Sequence, residues 1–154
     1  MRAMPRAATL FRVLLLALAA AGAGIRPAAA DTNLIVSGAW IRQPPPGSDV
    51  AAAYLTVRNA GTTAVELIGV QSPAASMAMM HETLESGGRS RMRRVAHLKL
   101  APNQTVQFRA GGLHIMLSGL AHPLQVGERV PLVLQFTHGV TLHINAVVRP
   151  LGSA

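Results

Sequence analysis

The residues best equipped for chemistry are histidines and methionines, of which the chain has six and seven, and it has no cysteine. They gather in Met77-Ala78-Met79-Met80-His81, then Met92, then Gly111-Gly112-Leu113-His114-Ile115-Met116-Leu117. In a strand, side chains alternate between faces, so His114 and Met116 share one face while Leu113, Ile115 and Leu117 point to the other. Between His81 and Met92 the chain passes Ser86-Gly87-Gly88, which reads as a wide, hairpin-like return able to bring Met92 near His81. His81, Met92, His114 and Met116 are therefore the candidate metal ligands. Thioethers are soft and uncharged, so such a set prefers Cu(I) and offers little to Zn(II), Mg(II) or Ca(II). The missing cysteine excludes a thiolate zinc site, an iron-sulfur cluster, a CxxC redox motif and a blue-copper centre. Thioethers need no deprotonation and form no disulfides, so the site suits an oxidising compartment, with sulfoxide formation its liability.

Alternation also puts Met77 and Met79 on the face of His81 and Met80 on the opposite, buried one, which makes Met79 a candidate auxiliary ligand. His97, His122, His138 and His143 have no partner at ligand spacing and read as exposed histidines, although a hairpin would bring His138 and His143 together. Trp40, the only indole, is expected as a core or edge anchor. Arg89, Arg91, Arg93 and Arg94 flank Met92; they read either as a solvated turn or as charges that steer docking onto an acidic partner.

Elements of the right kind surround these residues. Segments rich in Val, Ile, Leu and Thr recur about every ten residues, which is the spacing of an all-β domain. They predict strands over 34–42, 50–59, 64–71, 75–84, 92–100, 105–109, 113–118, 129–136 and 140–148, enough for a two-sheet sandwich. Pro44-Pro45-Pro46-Gly47, Asn59-Ala60-Gly61, Ser86-Gly87-Gly88, Ala101-Pro102-Asn103 and Gly111-Gly112 supply turn chemistry at the strand ends. The Met and Ala residues of 74–84 favour helix, but no helical period persists, and the segment is read as a strand.

Residues 1–30 read as a signal peptide, with Arg2, Arg6 and Arg12 before the apolar run 13–23 and Ala28-Ala29-Ala30 as the cleavage site. That run is shorter than the roughly 20 residues of a spanning helix. The mature domain is then 31–154, exported to the periplasm without stable membrane insertion. Its charge falls from +8 to +4, because four arginines and no acid leave with the leader. With five aromatic rings in all, there is little for bases to stack on, so nucleic acid is not an expected partner. Six acidic residues present no convergent carboxylate pair and no nucleophile-base set, so an enzyme is not expected.

The spacing of His81, Met92, His114 and Met116 resembles the metal-binding pattern of the periplasmic copper chaperone PCu(A)C family. Gly38-Ala39-Trp40-Ile41-Arg42 with Pro44-Pro45-Pro46-Gly47, and Ala52-Ala53-Tyr54-Leu55-Thr56-Val57-Arg58-Asn59, are similar to its opening strands, and 111–117 to its metal-binding strand. The resemblance implies a single-domain, cupredoxin-like Greek-key β-sandwich that binds Cu(I) at an exposed site through those four residues. It also implies delivery of copper to the binuclear centre of cytochrome c oxidase subunit II, or a part in copper homeostasis more broadly; the expected partner is that subunit or another copper chaperone, and the expected carrier is a monomer. The chain departs from some relatives in lacking a Met- and His-rich C-terminal tail. Copper storage or tolerance, and a metal-free β-sandwich interaction module, are the alternatives.

Overall fold

The computed structural model describes residues 33–153; the expected signal peptide and the cleavage at Asp31 lie outside the described residues. Ten strands follow one another: β1 (Leu34–Arg42), β2 (Val50–Asn59), β3 (Val65–Gln71), β4 (Ala75–Ser86), β5 (Arg89–Arg94), β6 (Leu98–Leu100), β7 (Thr105–Phe108), β8 (Leu113–Leu120), β9 (Arg129–Phe136) and β10 (Thr141–Arg149). The expected all-β architecture is present, with its two layers joined edge to edge. One hydrogen-bonded path runs β5-β4-β8-β2-β1-β10-β9-β3-β6, and β7 adds to β2. β1 and β10 run parallel, and every other pairing is antiparallel.

The path curls so that the inward side chains of both layers meet in one core, among them Ile41, Leu67, Leu100, Ile115, Leu117 and Leu132. Burying a side chain of this size stabilises the fold by about 1.5–3 kcal/mol. At the end of β2, the fully buried Asn59 ties two loops together. Its Nδ2 donates to the carbonyls of Thr63 (2.8 Å), Leu100 (3.1 Å) and Ala101 (3.2 Å), and its Oδ1 accepts from the Gly61 amide at 3.1 Å.

β4 is a strand despite its helix-favouring Met and Ala residues, because it pairs with β8 over its first two-thirds and with β5 over its second half. Ladders on both sides outweigh local propensity. The expected strand 92–100 is instead two. β5 pairs with β4, β6 pairs with β3, and Val95, Ala96 and His97 carry the chain from one layer to the other. The crossover is held by the Val95 amide donating to the Met80 carbonyl (2.9 Å) and by a 3.2 Å contact between His97 Nδ1 and Glu66.

Candidate metal centre

β8 fits its alternation closely. Ile115 and Leu117 are wholly buried in the core, so His114, Met116 and Ser118 face outward. β4 lies alongside with His81 directly opposite His114 and Met79 directly opposite Met116. The imidazole ring centres are 6.0 Å apart and their planes meet at 81°. Two imidazoles bound to one ion through nitrogen place their centres about 5–6 Å apart, given metal–nitrogen bonds of about 2 Å. The pair is spaced for a shared ion.

The two rings are prepared differently. His114 is only 5% exposed, and its Nδ1 donates to the Gly112 carbonyl at 3.0 Å. That bond holds the ring and leaves the Nε2 lone pair outward, as a metal-bound histidine requires. His81 Nδ1 is enclosed with no hydrogen-bond partner among the described residues. The His81 pKa is lowered by burial first, then by the neighbouring His114, then by the Arg94 guanidinium. Neutral imidazole is the form in which a histidine binds a metal ion.

Met92 occupies the same face but stands further off. Gly87 (φ 58°) and Gly88 (φ 73°) form a two-residue hairpin turn, which favours φ above zero at both positions. The return is therefore tight, where the sequence suggested a wide one. The register pairs Met92 with Thr83 and sets Arg94 opposite His81. Met92 is thus diagonal to His81, on an edge strand whose six residues are all exposed; its own exposure is 63%. Of the four arginines, Arg89, Arg91 and Arg93 project to the opposite face, where Arg93 meets Glu82 at 2.7 Å. Only Arg94 faces the histidines.

Trp40 and Tyr54 are buried yet lie outside the core cluster. They sit on the outer face with ring centres 4.6 Å apart, and the Arg42 and Arg149 guanidinium groups lie over the Trp40 ring at 5.9 and 5.2 Å. The β2–β8 register, carried one residue past the Ala53–Ile115 pair, puts Tyr54 beside His114. This aromatic layer walls the histidine row on the side away from β4. Nothing in the spacing of Tyr54 identifies it as part of the site; only the pairing of β2 with β8 does.

The remaining candidates disperse. Met80 is 3% exposed and belongs to the core, as alternation indicates. His138 lies in the turn Thr137–Gly139, while His143 on β10 pairs with Val133 of β9. Among the described residues, no group of three His, Asp or Glu side chains is placed to hold a metal ion. The three rows around His81 contain imidazole, thioether, hydroxyl and guanidinium groups and no carboxylate.

The family model "Putative lipoprotein LpqE-like" matches residues 34–148. A curated relative from Leifsonia xyli subsp. xyli, named putative lipoprotein Lxx21020, is 32% identical over 135 residues, covering 83% of this chain and 80% of the relative. The chain belongs to the LpqE-like family. Two solved structures of DR1885 from Deinococcus radiodurans are similar to it. The apo form is 33% identical, covering 97% of each chain, with a TM-score of 0.60. The CuI form is 36% identical, covering 84% of this chain and 83% of that one, with a TM-score of 0.61. The copper-bound PCuAC domain of PmoF2 is 24% identical with a TM-score of 0.66, covering 79% of this chain and 97% of that domain, and shares the fold. The LpqE-like chain thus has the cupredoxin-like fold of PCuAC domains, as the resemblance in its sequence implied. Among its described residues, no helix is long and apolar enough to cross a membrane.

Proposed function

We propose that this LpqE-like protein is an exported copper carrier that binds Cu(I) through His81, Met92, His114 and Met116 and surrenders it to an acceptor protein. The observation that carries the reading is the His81–His114 pair, 6.0 Å between ring centres, beside Met116 on a face turned away from the core. The likeness to copper-bound and CuI structures of the same fold supports it, and the lipoprotein relatives support export. The periplasm is the compartment proposed, and cytochrome c oxidase subunit II, or a second copper chaperone, is the acceptor the resemblance points to.

The ligand chemistry accounts for both holding and release. Neutral imidazole and thioether donors match a monovalent soft ion. A divalent ion would lack anionic ligands and would face the Arg94 charge. An incoming thiolate forms one copper–sulfur bond as one thioether bond breaks, and the ion remains Cu(I) throughout. Met92, exposed on an edge strand, is the first to yield; His114, buried and anchored to Gly112, is the last. No step makes or breaks a covalent bond in a substrate, which fits a carrier and not an enzyme.

Competition of the mature protein against a Cu(I) chelator, with copper K-edge absorption of the loaded form, tests the proposal. One equivalent of Cu(I) with both sulfur and nitrogen neighbours is expected. Zinc affinity equal to or greater than copper affinity would overturn it.

A further inference from the structure

Two consecutive cross-strand pairs, His81 with His114 and Met79 with Met116, occupy one face of the β4–β8 ladder. Directly opposed side chains start about 5 Å apart, and successive rows on one face are about 6.7 Å apart. The four side chains therefore rise from the corners of a rectangle small enough for all of them to reach one ion. Its floor is firm: Met80, Ile115 and Leu117, which alternate with these residues on the same two strands, are 3%, 0% and 0% exposed.

Met92 lies outside that rectangle. It is one strand beyond β4 and one row beyond His81, which puts its Cβ about 8 Å from that of His81 and about 12 Å from that of His114 for ordinary sheet spacings, so it joins an ion held by both histidines only when the β4–β5 hairpin bends toward them. Among the described residues its strand has a ladder on one side only and buries none of its residues, the combination found at the low-stability end of a fold.

Building on the copper-carrier reading, we propose that Met79 is a fifth metal-binding side chain and that it alternates with Met92 at one coordination position. Met79 opposes Met116 in the register and shares the face of both histidines, so His81, His114, Met116 and Met79 form a complete soft-ligand set without the hairpin. When Met92 leaves ahead of the acceptor, the copper–sulfur bond to Met92 breaks as the bond to Met79 forms, and the acceptor's thiolate then forms its bond as the one to Met79 breaks. The ion stays Cu(I), and no proton or electron moves. The exchange keeps the ion bound to the β4–β8 floor while the hairpin side of the site is open.

The test is methionine-methyl NMR of the mature protein titrated anaerobically with Cu(I), together with chelator competition on Met92→Leu, Met79→Leu and the double variant. The methyl signals of Met79, Met92 and Met116 are expected to move with the first equivalent, while that of buried Met80 stays. If the two thioethers substitute for one another, each single variant loses about tenfold or less in affinity and the double variant loses more than the product of the two single losses. A Met79 methyl that does not move, with the double variant no weaker than Met92→Leu, would overturn the alternation and leave the carrier reading standing. Wild-type protein that takes up no Cu(I) would overturn both.

Discussion

His114 and Gly112 are bound to each other through imidazole Nδ1–H and the backbone carbonyl at 3.0 Å, and this short-range bond leaves Nε2 as the ring nitrogen with a free lone pair. The ring is almost fully enclosed, so it arrives at the site with tautomer and orientation set. Such preorganisation suits the ring to its proposed role as a ligand at a position the solvent scarcely reaches.

Removing that ring should therefore cost more than removing the flexible thioether opposite Thr83. His114→Ala is expected to lower Cu(I) affinity by at least about a hundredfold, the upper end of what supporting changes alone cost a metal site. Met92→Leu should cost about a tenth of that. Chelator competition on both variants gives the comparison, and equal losses would mean that burial of His114 confers no advantage.

The His81 pKa yields a signed pH dependence. Its folded value lies below the ordinary 6.5, from burial, His114 and Arg94 in that order. As pH falls through 6.5, the unfolded chain takes up a proton that folded His81 resists. The His81 contribution therefore makes the apo fold less stable on acidification, between 6.5 and its lower folded pKa, and has no effect above that window. Copper binding by His81 should likewise persist below pH 6.5 before protons displace the ion. Arg94→Ala removes one cause of the shift and is expected to move copper release toward higher pH. NMR titration of the His81 ring, with Cu(I) competition over about pH 5 to 8, checks both statements.

Met80 and Met92 are separated in kind by which face of the sheet they occupy. Met80→Ala should destabilise the fold by about 2–5 kcal/mol, because it opens a cavity in the core. Met92→Ala should leave thermal stability within about 0.5 kcal/mol of the parent, as for other exposed positions. Denaturant unfolding of the apo variants measures the contrast, and a stable Met80→Ala would show that the β4 alternation is misplaced by one residue.

Asn59 offers a stability test remote from the metal. Asn59→Ala strands the carbonyls of Leu100, Ala101 and Thr63, and one unsatisfied buried group alone costs about 1–3 kcal/mol. The melting temperature should fall by several degrees, while Cu(I) affinity below the transition stays at its parental value. A loss of affinity without a loss of stability would count against this account.

Much of this was legible residue by residue. The strand Leu113–Leu120 shows itself by aliphatics alternating with His114 and Met116, because one face must enter the core. The turn at Gly87-Gly88 shows itself by residue type, but its tightness does not: the glycines permit several returns, and the ladder between β4 and β5 selects one. The break between β5 and β6 was hidden because Val95 and Leu98 continue an apolar pattern while the chain changes layers. Trp40, expected as a core or edge anchor, forms with Tyr54 a separate layer on the outer face, stacked with Arg42 and Arg149.

The amino-acid sequence alone determined the chemistry: no thiol, imidazole and thioether in strand alternation, and hence a soft-metal set on an all-β frame. These are local properties, carried by residue type and a period of two. Which donors stand together was decided by the tertiary structure. His81 meets His114, Met79 meets Met116, and Met92 is held one row away, because register between strands comes from the packing of Met80, Ile115 and Leu117 beneath them. A slip of one residue would turn every proposed ligand inward. That constraint acts between segments far apart in the chain, and no spacing within one segment records it.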